Sequence, residues 1–580
     1  MPGERNEDPR VRAYERAQTV IGTERARTLR DASLRAAALT RRGLSEARAL
    51  TVLRQAGMID LNPATAGAEL RAFSELGQLG APVKIAALKH GHRIGLIDEL
   101  GSLSFAELNA RAESLAATLA RRGIDHSSCV GILCRNHRGF LDITFAGARL
   151  GARLLYLNTD FSGPQLRDVC AREGVSLLVH DEEYAEVLEG IDLPQGRVLA
   201  WSDQPAADPG DTLEDLIRAG QGLPTPPPPR RHAKVVLLTS GTTGTPKGAP
   251  RSSSRSLAPV GAMLSKVPYR AEEVTYLAPP MFHGVGYSQM LLSVSLGCTL
   301  ITERRFDAER VLAAITAHHP TALVVVPVML RRILGVLERS LNRYDLSSLR
   351  IVFVSGSALE PELVRRAQVS IGHVLYNFYG STEVAYATFA TPADLAAAPG
   401  CAGRPPFGTI VRLYDADDRP VRGAGRVGRI FVGNSFQFEG YTGGGHKDVI
   451  DGLMSTGDLG HFDVDGRLWV DGRDDDMIVS GGENLFPGEI EELLATHPAV
   501  EEAAAVGVED PEYGKRLAVF VVLRPEGQIS EDGVRAFVKA NLARFKVPRD
   551  VIFLGELPRN PTGKVLKRRL RELHDERIGG

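Results

Sequence analysis

Thr239-Ser240-Gly241-Thr242-Thr243-Gly244-Thr245-Pro246-Lys247-Gly248 follows directly on the apolar run Val235-Val236-Leu237-Leu238. The run reads as a buried strand, so the hydroxyls, glycines and lysine form the loop into which that strand empties. Such a loop suits phosphates. Glycines let backbone N–H groups turn toward an anion, hydroxyls donate further hydrogen bonds, and the lysine brings a mobile positive charge. The GxxxxGK[ST] spacing of a Walker A loop is absent.

Outward from this loop, strand and helix patterns alternate. Ser104-Phe105-Ala106-Glu107 has the form of a capping box. The helix it opens puts Phe105, Leu108, Ala112, Leu115 and Leu119 on one face and stops at Gly123. Residues 129–134 and 152–157 read as strands around a helix at 139–150, and 175–180, 321–328 and 351–354 read as further strands. Alternation of this kind implies a parallel α/β sheet. The proline-rich stretch 224–229 is an extended linker leading to the strand before the phosphate loop. After Gly400 short alternating segments with tight turns, such as Asp463-Val464-Asp465-Gly466, suggest a small antiparallel sheet or barrel. From Arg473 a compact α+β unit follows, with helices at 487–495 and 530–542 and strands at 500–508 and 517–523.

Composition excludes several classes. The 580 residues are 43% hydrophobic and 24% charged, as in soluble globular proteins of several domain-sized units. A net charge of −2 lacks the basic excess of nucleic-acid binders. Five scattered cysteines with no CxxC pair argue against a zinc site or a disulfide framework and suit a cytoplasmic location. No apolar run approaches the roughly 18–20 residues of a membrane span, and the N-terminus has no signal-peptide layout. Residues 1–60 hold twelve Arg against eight acids and read as Ala/Arg-rich helix, for example 45–56 closed by Gly57. The acids offset most of the arginines, which favours an extension packed on the body over a membrane-surface helix; peripheral membrane contact stays open.

Four more motifs stand downstream of the loop: Tyr379-Gly380-Ser381-Thr382-Glu383, Ser455-Thr456-Gly457-Asp458, Asp471-Gly472-Arg473 and Pro558-Arg559-Asn560-Pro561-Thr562-Gly563-Lys564. In this order they resemble the adenylate-forming superfamily of acyl- and aryl-CoA ligases, peptide-synthetase adenylation domains and beetle luciferases. The resemblance runs from about Leu103 to about Leu570 and is closest to fatty-acyl-CoA ligases. It implies the α/β class: a large N-terminal domain of stacked α/β sheets with a small β-barrel-like subdomain, and a small mobile α+β C-terminal domain. The expected division is a helical extension at 1–75, an AMP-binding domain at 76–473 and a lid at 474–580.

The resemblance also implies two half-reactions. A carboxylate attacks ATP to give an acyl-adenylate and pyrophosphate, then the thiol of CoA displaces AMP. Lys564 would bridge carboxylate and α-phosphate, with Lys247 and Thr382 as further phosphate contacts. Glu383, helped by Thr239, would hold Mg2+. Thr239, Ser240, Gly241, Thr242, Thr243 and Gly244 would cradle the phosphates. Gly356, Ser357, Ala358, Tyr379 and Gly380 would form the adenine pocket, and Asp458 with Arg473 would take the ribose hydroxyls. Phe282, His283 and Val285 would edge the acyl pocket, Asp475 would be the hinge, and Ser480, Gly481 and Gly482 would line the CoA tunnel.

Two departures stand out. Val479 replaces a phosphate-contacting lysine of some members, and Val285 replaces a tryptophan frequent in fatty-acid relatives. No acid follows Pro279-Pro280-Met281-Phe282-His283, which disfavours an amino-acid substrate. The expected substrate is a medium- or long-chain fatty acid or another carboxylic acid. The alternatives are an acyl-AMP ligase loading a carrier protein, a luciferase-like oxygenase and a catalytically silent nucleotide-binding homologue. The oligomeric state is open, a homodimer included.

Overall fold

The computed structural model describes residues 42–59, 62–203, 211–239, 247–250, 256–340, 343–438, 440–442, 446–474, 478–480, 483–485, 487–510, 514–542 and 546–578. Four sheets organise them. The first runs, edge to edge, through Thr388–Ala390, Leu375–Tyr379, Ile351–Val354, Ala322–Val325, Val274–Leu277, Thr299–Ile301, Ile94–Asp98 and Gly101–Ser104. Its six inner strands are parallel and its two edge strands antiparallel. The second runs through Arg197–Trp201, Leu177–Asp181, Cys129–Leu133, Arg153–Tyr156, Lys234–Thr239 and Lys247–Pro250, parallel except for the last pair. Helices pack on both, as crossovers between parallel strands require.

The expected antiparallel unit after Gly400 is present as Ile410–Tyr414, Gly428–Gly433, Leu453–Phe462, Val449–Ile450 and Leu468–Arg473. The C-terminal unit is a separate sheet in which Gly514–Leu523 pairs with Val500–Asp510, Ile478–Ser480 and Asp550–Leu554. Helices Pro487–Ala495 and Glu531–Asn541 cover one of its faces around Ile478, Ile490, Leu494, Val519, Val534 and Val538. Lys567–Ile578 covers the other around Ala504, Val506, Phe520 and Leu570. The small domain therefore has cores of its own.

Local sequence accounts for most elements. Ser104 caps Phe105–Arg121 with both bonds of the box: Ser104 Oγ accepts from Glu107 N at 3.2 Å, and Glu107 Oε2 accepts from Ser104 N at 2.7 Å. The predicted face, Phe105 to Leu119, is buried in the main core. The N-terminal helix spans 42–55 and buries Ala49 and Leu53 against the body. The next helix, Pro63–His90, bends at Gly77, whose φ of 67° places it outside the helical region.

One expectation fails. The run 321–328 is not a single strand. The strand stops at Val325, Val326 caps a helix, and Pro327 opens Pro327–Arg339. Proline at the first helical position loses no hydrogen bond and brings a suitable φ. An apolar run alone does not show where the period changes from two to 3.6.

Cys134, His137 and Asp181 lie together and buried with ligand-type atoms. Both imidazole nitrogens are already used: Nε2 lies 2.8 Å from Asp181 Oδ1 and Nδ1 accepts from Gly139 N–H. The cluster caps the helix Arg138–Leu150. Among the described residues no helix is long and apolar enough to cross a membrane.

Candidate active site

The carboxyl ends of the parallel strands in the first sheet converge on one place, as in open α/β sheets generally. Tyr379 ends Leu375–Tyr379, and its hydroxyl donates to Asp458 Oδ2 at 2.6 Å and lies 3.1 Å from Thr456 Oγ1. Asp458 and Arg473 are register partners on adjacent antiparallel strands, with Arg473 Nη1 3.7 Å from Asp458 Oδ1. Burial pushes the Asp458 carboxyl up from its ordinary value, while the Tyr379 hydrogen bond and the charges of Arg473 and Lys564 pull it down; the net shift is upward. Gly457 adopts φ +80°, and a Cβ there would meet Lys447 Nζ at 3.2 Å and Arg473 Nη2 at 3.4 Å. Two cations therefore flank this turn, an arrangement suited to an anionic ligand.

Glu383 is buried, and its Oε1 accepts from Tyr441 Oη at 2.7 Å. Ser381 Oγ accepts from the N–H groups of Glu383 and Val384, which fixes the turn carrying Thr382 and Glu383. Gly380 is required just before it, because a Cβ would lie 2.3 Å from the Ala385 carbonyl oxygen. Among the described residues Glu383 Oε2 has no hydrogen bond. A carboxylate with one oxygen anchored and one available fits Mg2+, which is usually held by one or two carboxylates plus substrate phosphates.

Thr239 and Lys247 are register partners on neighbouring antiparallel strands, so the loop between them leaves and returns at one point. Ser240, Gly241, Thr242, Thr243 and Gly244 lie outside the described residues. So does the expected hinge, Asp475, and so do Gly481 and Gly482. Ser480 ends the strand Ile478–Ser480 in the small domain, paired with Glu483 and Gly514.

Phe282 and Val285, expected to edge the acyl pocket, are buried in the main core, and His283 is the N-cap residue of Gly284–Ser295. Burial lowers the His283 pKa, and the charge of Lys564 lowers it further, to about 4. The imidazole is therefore neutral at physiological pH. Gly356 follows Ile351–Val354 with φ +102°, and Ser357 and Ala358 beside it are exposed.

Lys564 comes from the small domain, yet its charge acts on both His283 and Asp458 in the large one. Its loop is tied by Asn560: Oδ1 accepts from Lys564 N–H at 2.8 Å and from Thr562 Oγ1 at 2.7 Å, and the Asn560 carbonyl accepts from Gly563 N–H. Gly563, at φ +79°, lies against Val326 and Val328 of the large domain, where a Cβ would be 2.9 and 2.6 Å from their methyl groups. Tyr379, Asp458, Arg473, His283 and Lys564 thus lie close together, and the turn carrying Thr382 and Glu383 follows Tyr379 directly. Sequence reasoning missed Tyr441, Thr456 and Lys447. Thr456 lies inside a quoted motif, but Tyr441 and Lys447 stand in a loop with no periodic signal.

The AMP-binding enzyme family matches residues 83–442, and its C-terminal domain family matches 489–564. An indoleacetate–CoA ligase of Aromatoleum aromaticum is 34% identical over 81% of this chain and 93% of its own length. A feruloyl-CoA synthase of an Amycolatopsis species is 33% identical over 81% and 94%. Further relatives are named for 2-succinylbenzoate and, at 29% identity, for long-chain fatty acids in Mycobacterium tuberculosis. Among solved structures, o-succinylbenzoate CoA synthetase of Bacillus subtilis with its acyl-adenylate superposes at TM-score 0.73, with 26% identity over 84% of this chain and 97% of that one. With both family domains matched in order and the fold shared, the chain belongs to the AMP-binding enzymes of the adenylate-forming superfamily.

Proposed function

We propose that the chain is an ATP-dependent acyl-CoA ligase acting through an acyl-adenylate. The observation that carries this reading is the docking of the Lys564 loop on the large domain, with Gly563 against Val326 and Val328 and the Lys564 charge acting on Asp458 and His283. In the first step a carboxylate oxygen of the acid bonds to the α-phosphorus, and the bond to the bridging oxygen of pyrophosphate breaks. The Lys564 ammonium offsets charge on the carboxylate and α-phosphate, with the cradle before Lys247 and the Thr382 hydroxyl sharing the load. Asp458 accepts from the ribose hydroxyls, and Arg473 holds Asp458 in place. Glu383 would hold Mg2+, which supplies charge neutralisation on the phosphates when bound. Neutral His283 edges the carboxylate without adding a second fixed charge beside Lys564. In the second step the CoA sulfur bonds to the acyl carbonyl carbon, and AMP leaves.

The acid is a hydrophobic carboxylic acid. The indoleacetate and feruloyl relatives, at 34% and 33% identity, are named for arylalkyl and aryl acids, which favours that class; the fatty-acid relative, and the apolar Val285 beside the carboxylate edge, support a fatty acid as second reading. A pyrophosphate-release screen tests both. It offers indoleacetate, ferulate, 2-succinylbenzoate and hexadecanoate, each with and without CoA. Pyrophosphate with an aryl acid and thioester only when CoA is present is the expected result. Adenylate that no CoA can discharge would reassign the acceptor, and no pyrophosphate with any acid would sink the reading.

A further inference from the structure

We propose that Glu502, gripped between Arg331 and Arg559, is a latch that holds the Lys564 loop in its position for adenylation. The inference rests on the ligase reading. Arg331 is 7% exposed, on the helix Pro327–Arg339 that begins next to the contact with Gly563. Its Nη1 donates to Glu502 Oε1 at 2.5 Å, and its Nη2 donates to Glu360 Oε2 at 2.7 Å. The second oxygen of Glu502 accepts from Arg559 Nη2 at 2.8 Å. Arg559 turns its other nitrogen, Nη1, onto the Gly563 carbonyl at 2.7 Å. A continuous path of charge-assisted bonds thus runs from a large-domain helix, through the small-domain strand Val500–Asp510, to the residue before Lys564.

Both oxygens of Glu502 are used, one by a guanidinium from each domain. Burial pushes its carboxyl up, but the two arginines outweigh that, and it stays ionised below its ordinary value. Such a path is complete in only one pose. Once the small domain swings away, Arg331 keeps Glu360 and Glu502 keeps Arg559, so the Arg331–Glu502 bond between the domains is the part that adds to the closed population and not to the other. The Gly563 contact with Val326 and Val328 lies at the end of the same path, so the latch sets the loop's depth as well as the domain's position. Glu502 is a positioning residue: it acts on the reaction through Arg559 and Gly563.

The test uses the full chain and whichever of the four acids above the wild type activates. Arg331→Met, Glu502→Gln and the double variant are compared in two half-reactions: pyrophosphate release from acid and ATP, and thioester formation from the purified acyl-adenylate and CoA. Each single variant is expected to slow adenylation about 10–100-fold by depleting the closed pose, with the thioester step intact. The double variant is expected to lose no more than the worse single one, since either change opens the same path. Arg559→Lys, which can reach Glu502 or the Gly563 carbonyl but not both, is expected to fall between. Thermal melts establish folding, and the distance distribution between spin labels on the two domains reports the closed fraction without activity. Equal loss in both half-reactions, or an unchanged closed fraction, overturns the latch. Wild type that makes no adenylate from any acid overturns the ligase reading instead, and the spin-label distances still decide the latch.

Discussion

Lys564 and His283 belong to different domains, and their coupling can be measured on one atom. His283 has a pKa of about 4 against an ordinary 6.5, first from burial and then from the Lys564 charge. A histidine whose folded pKa is depressed contributes stability that is complete above the unfolded value and is lost as pH falls from 6.5 toward 4. No acid limb of the activity profile should therefore arise from His283 above about pH 5. In Lys564→Met the His283 pKa should rise, though not fully to 6.5, because burial remains. A histidine NMR titration reads this directly, and an unmoved pKa would place Lys564 elsewhere in solution. The same substitution should slow adenylation about 100–1,000-fold, as loss of one preorganised charge contact does, and leave thioester formation from supplied adenylate nearly unchanged. Equal loss in both would mean that Lys564 serves the fold or general binding. At this scale the sequence was informative where roles sit in motifs. Tyr379, Asp458 and Lys564 carry recognisable neighbours, whereas Tyr441 supports Glu383 from a loop whose residues have no local reason to be there.

Elements divide along the same line. The capping box at Ser104 was readable because it depends on residues three apart, and it should behave as an independent local unit. Ser104→Ala should cost about 1 kcal/mol in urea unfolding with both half-reactions unaffected. The Lys564 loop is the contrasting case. Gly563 needs φ +79° and has Val328 and Val326 where a Cβ would go. Gly563→Ala should cost about 1–2 kcal/mol from the backbone conformation, and it should also lift the loop off the large domain. Adenylation should then fall about 10-fold or more while thioester formation holds. A variant that keeps full pyrophosphate release would show that the loop does not dock on Val326 and Val328. The glycine was legible, but its contact was not, because its partners lie more than two hundred positions away. The same holds for the helix that begins at Pro327. The apolar run was visible, but the change from strand to helix within it depends on what the sheet can accommodate after Val325.

The changes of pattern after Gly400 and again after Arg473 were readable, since each stretch builds its own sheet and the second its own cores. How the units meet was not, because the junction joins distant residues, Arg331 with Glu502 and Gly563 with Val326 and Val328, and neither charges nor apolar side chains name their partners in the sequence. The separation of labour between the units makes a further prediction. Tyr379, Glu383, Asp458 and Arg473 all precede residue 474, whereas Lys564 follows it. A chain ending at Arg473 should keep its own cores and bind ATP within a few-fold of the full chain, because the contacts proposed for adenine, ribose and metal stay together. It should release pyrophosphate at least 100–1,000-fold more slowly, roughly the loss expected of Lys564 alone. Calorimetric titration with ATP and a pyrophosphate assay on the same preparation separate the two. If ATP binding also collapses, the small domain contributes to the nucleotide pocket itself, and Lys564 would then be part of substrate binding as well as of the step that consumes it.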